Sequence, residues 1–264
     1  MRYSLIAALG LLATTAFGDV AVAQTAPPPR VGIPGCSDDV AVQASRTLVS
    51  YESRGRSIRA WLYAPQGEPN GAALVMLHGG TGFEMNAILF DAHAIQLASR
   101  GYWVMLPAYF DADAPARGRR LVNARAWRQA ALDAAIQLAG TANISPDRVA
   151  LWGYSRGAGV ALDAATVPGS PIRSAVLAAG GGEVQDSLAG RDLSFLLLHA
   201  RRDEAVPVRA TLDLAADLRE AGAMVEVRGL DFDGHQYDLP TWCSVMDRTR
   251  MFVESRAEPE HAPS

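Results

Sequence analysis

Three residues of this chain could carry out acyl transfer if the fold brought them together. Ser155 sits in Gly153-Tyr154-Ser155-Arg156-Gly157, with a glycine two positions to either side. Asp203 follows the apolar run in LLLHARRDEAVPV, and His235 follows Gly234 in GLDFDGHQYD. The order is serine, acid, histidine, with spacings of 48 and 32 residues. A serine hydroxyl alone is a poor nucleophile. It needs a base within hydrogen-bond reach, and the base needs a group that orients it.

The setting of Ser155 sharpens this reading. VALW before it is an apolar strand, and the small-residue stretch after it reads as a helix. A serine on so tight a strand-to-helix turn is forced outward as a nucleophile elbow, with Gly153, Tyr154 and Gly157 forming the turn. Side chains at Gly153 and Gly157 would clash there with neighbouring backbone, and the helix start favours developing negative charge. A fourth motif, MLHGGTGFE, follows another apolar run. Its glycine-rich turn can aim backbone N–H groups at an oxyanion. Gly80 is the expected first donor with Thr81 next, and Arg156 N–H is the second donor.

Each partner has a plainer reading. Asp203 can cap the helix expected near Val208, and Glu204 beside it can take the acid role. Asp231 and Asp233 also neighbour His235. Of the other histidines, His261 lies in the tail and His93 on a predicted helix. His78 and His199 end strands, where ring hydrogen bonds brace loops.

Alternating elements must position these motifs. Thr47–Ser53 and Ser57–Ala64 read as a hairpin turned at Arg54-Gly55-Arg56. Buried strands are expected at Ala72–Leu77, Tyr102–Leu106, Val149–Trp152, Ser174–Ala179, Ser194–His199 and Met224–Leu230. Helices are expected at Asn86–Ser99, Asn123–Ala139 with Gly140 as its stop, Arg156–Ala165, Val208–Glu220 and Ser244–Ser255. This alternation predicts an α/β fold: a mainly parallel central sheet, helices on both faces and an antiparallel N-terminal hairpin. In such sheets sites collect at the carboxyl ends of the strands, where all four motifs fall.

The chain has 264 residues, 49% of them hydrophobic, enough for one sizeable core. Its net charge is −4 and all 24 basic residues are arginine, so it carries no electrostatic footprint for nucleic acid. Met1-Arg2, the apolar run Leu5–Ala13 and the small-x-small Ala21-Val22-Ala23 read as a secretory signal over residues 1–23. No other run is long enough to span a bilayer, so no stable membrane span is expected after cleavage. Residues 24–46 read as an arm or linker, 47–256 as the domain and 257–264 as a flexible tail. Export to a periplasmic or extracellular compartment makes Cys36 and Cys243 candidates for one disulfide.

Taken together, these residues resemble the α/β-hydrolase superfamily over Thr47–Ser255. SPDRVALWGYSRGAG, LHARRDEAVP and DGHQYD are similar to its dienelactone hydrolase-like branch, and also to the catalytic domains of prolyl-oligopeptidase-type peptidases. The named dienelactone hydrolases carry cysteine at the elbow, where this chain has Ser155. The peptidases carry a large extra domain, for which this chain has no room. The resemblance therefore implies a serine esterase or lactonase acting on a small-molecule ester, with no metal or organic cofactor. A peptidase, or a binding protein on the same fold, is the alternative. Tyr154, Phe83, Tyr109 and Phe110 can line the site or pack in the core. Arg117, Arg119, Arg120, Arg201 and Arg202 can clamp a substrate carboxylate or pair with nearby aspartates. Oligomeric state is not legible in the sequence.

Overall fold

Strand and helix alternate along the chain in the order the sequence predicts. The structure, a computed structural model, describes residues 36–257 apart from 114, 117–118, 121–122 and 185–186, with backbone alone at 115–116, 119–120 and 257. The expected signal at 1–23, the first part of the arm and residues 258–264 lie outside the described residues.

The chain opens with β1 (Ala44–Ser53) and β2 (Arg56–Pro65), paired antiparallel from Ser53↔Arg56 to Ala44↔Pro65. Arg54 and Gly55 turn the hairpin with φ of 51° and 72°. Two consecutive positive φ values match the right-handed twist of the strands, and glycine takes one of them at no steric cost. There follow β3 (Ala73–Leu77), α1 (Phe83–Ala98), β4 (Trp103–Pro107) and a two-residue pair, β5 (Pro115–Ala116) with β6 (Arg119–Arg120). Then come α2 (Ala124–Ala142), β7 (Val149–Tyr154), α3 (Arg156–Thr166), β8 (Ser174–Ala178) and β9 (Ser194–Arg202). The chain closes with α4 (Val208–Glu220), β10 (Met224–Asp233) and α5 (Leu239–Ala257).

Eight strands form one sheet in the order β1-β2-β4-β3-β7-β8-β9-β10. Only β2 runs against its neighbours; from β4 to β10 every pair is parallel. The expected fold class is the one observed.

The central strands are buried on both faces, and successive side chains point to opposite sides. Ala73, Val75 and Leu77 enter one core with α2, α3 and α4, together with Leu151, Leu177 and Leu197. Leu74 and Met76 enter the other with α1 and α5, together with Trp152, Val176 and Leu198. Continuous apolar runs in the sequence are therefore two interleaved faces.

Some boundaries move. Gly140 does not stop α2; it is helical, and Asn143 ends the helix in the left-handed region with φ of 54°. Asparagine tolerates that conformation, so the glycine signal was three residues early. α1 starts at Phe83 rather than at Asn86, and α5 at Leu239 rather than at Ser244. Among the described residues no helix is long and apolar enough to cross a membrane.

Cys36 and Cys243 form the expected disulfide, with Cα atoms 5.2 Å apart. It ties the start of the described chain to α5. Val40 strengthens the attachment by exchanging two hydrogen bonds with the Gln96 side chain of α1, at 3.0 and 3.1 Å.

Candidate active site

The turn after β7 is fixed by steric exclusion. Ser155 takes φ 53° and ψ −116°, in the positive region that side chains other than glycine rarely occupy. A Cβ on Gly153 would overlap the Gly157 carbonyl, and one on Gly157 would overlap the Leu77 carbonyl. Only glycine lets α3 lie so close beneath β3 and β7. Ser155 N–H donates to Ala178 O at 2.8 Å, which ties the turn to the end of β8. The serine side chain is left at the carboxyl edge of the sheet.

Asp203 arrives from the end of β9 and His235 from the end of β10, two and three strands along the sheet from β7. His235 Nε2 lies 2.9 Å from Ser155 Oγ, and His235 Nδ1 lies 2.7 Å from Asp203 Oδ2. Asp203 Oδ1 accepts from the N–H groups of Ala205 and Val206, at 2.9 and 2.8 Å. Asp203 therefore does not cap α4, whose N-cap is Pro207. It organises its own turn and keeps its other oxygen for the imidazole. Burial pushes the Asp203 carboxyl up, but the Val206 N–H, His235 and the Ala205 N–H together hold it below the usual carboxylate range. The acid is thus ionised next to the ring. Glu204, the other candidate, is exposed.

Tyr154 sets the other side of the imidazole. Its hydroxyl donates to His235 O at 2.7 Å, and its ring stacks on the imidazole with centroids 5.4 Å apart. Tyr154 is buried, as are Phe83, Tyr109 and Phe110, so all four pack in the core. Tyr109 OH donates to His78 O at 2.7 Å and its ring stacks on His78, bracing the loop after β3.

That loop holds Gly80 and Thr81, the residues expected to offer N–H groups to an oxyanion. Asn86, in the first turn of α1, clamps it from beneath. Asn86 Oδ1 accepts Gly79 N–H at 3.2 Å, and Nδ2 donates to Thr81 Oγ1 and Gly82 O, each at 2.7 Å. The Gly79 amide is thereby occupied, whereas Gly80 and Thr81 are exposed. The Arg156 guanidinium reaches back over the loop, with Nε 3.5 Å from where a Cβ of Gly80 would stand. The sequence reading did not assign Asn86 a role; a lone amide among the apolar residues at the start of α1 is the signal that could have found it.

The loop arginines divide. Arg201 pairs with Asp231 at 2.7 Å and with Asp233 at 3.5 Å, and Arg202 with Asp233 at 3.4 Å. These aspartates are therefore engaged with arginines, and it is Asp203 that meets His235. Arg117 lies outside the described residues, and Arg119 and Arg120 are described in backbone only. Of the remaining histidines, His93 is buried on α1, and His199 hydrogen-bonds Val206 O and Thr211.

The sequence profile of the dienelactone hydrolase family matches residues 58–237, which span β2 to the loop beyond His235. The chain belongs to the dienelactone hydrolase family. No curated protein matches the chain. Among solved structures, the dienelactone hydrolase family fold recurs in a dienelactone hydrolase-like promiscuous phosphotriesterase from metagenomic libraries. That protein is 16% identical with a TM-score of 0.64, over 81% of this chain and 98% of the other. A butyrate-bound esterase of the planctomycete Thermogutta terrifontis is 16% identical with a TM-score of 0.65, over 83% and 96%. The Pyrococcus horikoshii acylaminoacyl peptidase is 14% identical with a TM-score of 0.62, over 84% of this chain but 43% of its own. Identities this low speak for the shared fold, and the family membership makes this chain a hydrolase.

Proposed function

We propose that this member of the family is an exported serine hydrolase that cleaves carboxylic esters or lactones through an acyl-enzyme. The observation that carries the reading is the unbroken path from Ser155 Oγ through His235 to Asp203, at 2.9 and 2.7 Å. Ser155 attacks the carbonyl carbon, and its proton passes to His235 Nε2. Asp203 holds Nδ1–H and stabilises the imidazolium that forms. Negative charge on the carbonyl oxygen is met by the Arg156 N–H at the start of α3 and by the Gly80 N–H, with Thr81 as the neighbouring candidate. Each donor contributes on the order of 3 kcal/mol. The imidazolium then protonates the leaving alkoxide. Water, deprotonated by the same imidazole, releases the acid and restores Ser155.

Serine in place of the cysteine of the named dienelactone hydrolases argues for ordinary esters beside lactones. The acylaminoacyl peptidase likeness supports peptide cleavage as a second reading, weakened because this chain spans 43% of that protein. Export, with residues 1–23 removed, 24–46 as an arm, 47–256 as the domain and 257–264 as a tail, is supported by the Cys36–Cys243 bridge, a feature of oxidising compartments.

The experiment is covalent labelling. Thermogutta terrifontis esterase 2 is modified by tabun, which makes an organophosphorus probe the natural choice. The chain from Gln24 onward is treated with a fluorophosphonate and the adduct mapped by peptide mass spectrometry, beside Ser155→Ala and His235→Ala. The expected result is one adduct, on Ser155, absent from both variants, together with turnover of p-nitrophenyl esters. A folded wild-type protein that takes no label would overturn the reading in favour of a binding protein. Cleavage of peptides but not esters would favour the peptidase.

A further inference from the structure

A second histidine packs against the turn that presents Asp203. His199, near the end of β9, is 2% exposed, and its Nε2 lies 2.8 Å from Val206 O and 3.4 Å from Asp203 Oδ2. Both neighbours are acceptors, so the ring proton sits on Nε2 and points at them. On the other edge, His199 Nδ1 lies 2.6 Å from Thr211 Oγ1 of α4, and that hydroxyl also lies against Gly180 O in the loop after β8. His199 thus joins the end of β9 to the first turn of α4 through Thr211, whose one hydroxyl proton lies between His199 Nδ1 and Gly180 O. It also closes the turn that presents the acid. Val206 gives its N–H to Asp203 Oδ1 and its carbonyl to His199. The Asp203 carboxylate accepts from the Ala205 and Val206 N–H groups and from His235, and His199 packs beside it, with Nε2 3.4 Å from Oδ2.

We propose that His199 is a positioning residue for the reaction, fixing Asp203 so that Oδ2 stays aimed at His235 Nδ1. This rests on the Ser155 hydrolase reading above. An Asp203 carboxylate free to rotate would orient His235 less well and favour its protonated form less. Other titratable groups packed around the pair are Tyr154, Tyr237 and Glu204, beside the exposed cluster of Arg201 and Asp233. Burial pushes both tyrosine hydroxyls up, so they stay neutral.

The test compares His199→Phe, which fills the space without a donor, with His199→Gln, whose amide reaches the Nε2 position. Readouts are kcat and KM on p-nitrophenyl acetate across pH, and the downfield proton resonance of the His235 Nδ1–H···Asp203 bond in the folded protein. In His199→Phe, kcat is expected to fall on the order of 10- to 100-fold, with KM nearly unchanged. The acid limb of the rate profile moves to lower pH and the downfield resonance is lost. His199→Gln recovers most of each. If His199→Phe does not fold, His199→Asn, too short to reach Val206 O and Asp203, replaces it under the same criteria. Wild-type kcat, acid limb and resonance in the donor-free variant would overturn the proposal. So would equal losses of thermal stability in Phe and Gln variants with the limb and resonance unmoved, since His199 would then only brace α4. The resonance needs no turnover. A chain that takes no label at Ser155 but loses its resonance in His199→Phe would sink the hydrolase reading and keep the positioning role.

Discussion

The Ser155 turn and the clasp at Cys36 are both tightly held, but by different physics. At the turn, Gly153 and Gly157 let backbone from β3, β7 and α3 come into contact, and any larger residue collides. At the clasp, a disulfide joins residues 207 apart in sequence, helped by the Val40–Gln96 pair, and His93 lies buried on α1. Packing exclusion does not respond to redox potential or pH. A disulfide and a buried titratable group do. The glycine turn therefore keeps its shape under conditions in which the clasp can be loosened.

Four experiments can break or sharpen that contrast. The largest effect is expected at the turn. Gly157→Ala drives a Cβ into the Leu77 carbonyl, and should destabilise the domain by about 4 kcal/mol or more and abolish Ser155 labelling. Chemical denaturation with labelling at matched folded fraction checks it; a stable, fully labelled variant would show that sterics do not set the elbow.

Next is the clasp. Replacing both cysteines by serine should cost about 2 to 4 kcal/mol, while the protein that remains folded labels at the wild-type rate. A labelling defect at full folding would mean that the two regions are coupled.

Third is pH. Burial lowers the His93 pKa to about 4, against about 6.5 for an unfolded chain. Between those values the unfolded chain binds a proton that the folded one does not. The His93 contribution is therefore full above pH ~6.5, declines as pH falls and is lost below pH ~4, amounting to about 3 kcal/mol. Melting temperature measured across this window should fall less steeply for His93→Gln than for wild type. Parallel slopes would assign the acid sensitivity elsewhere.

The smallest effect belongs to Tyr154→Phe. It removes the hydroxyl that donates to His235 O but keeps the stacked ring, and should cost about 1 kcal/mol of stability with a few-fold loss of kcat. An unchanged kcat would mean that stacking alone orients the histidine loop.

Much of this was legible in the sequence because the underlying physics is local. The alternation of apolar strands with helices fixed the layers, and glycine spacing marked the turn, since only glycine satisfies a backbone contact there. Boundaries were less legible. Asn143 ends α2 by taking a conformation for which Gly140 looked the better candidate, and the first turn of α1 lies before Asn86. Propensity ranks residues but does not say which one the surrounding structure needs.

The sequence by itself determined the parallel sheet, the elbow at Ser155, the serine-acid-histidine order and the presence of two cysteines able to pair. Only the tertiary structure decided among residues of like chemistry. Asp203 rather than Glu204, Asp231 or Asp233 faces His235, because its turn buries it between two backbone N–H groups while the others reach solvent or arginines. Arg201 and Arg202 pair with Asp231 and Asp233, and His199 and Asn86 brace the loops that carry Asp203 and Gly80. Such choices depend on distance and burial between residues far apart in the chain, which no local pattern of residue types encodes.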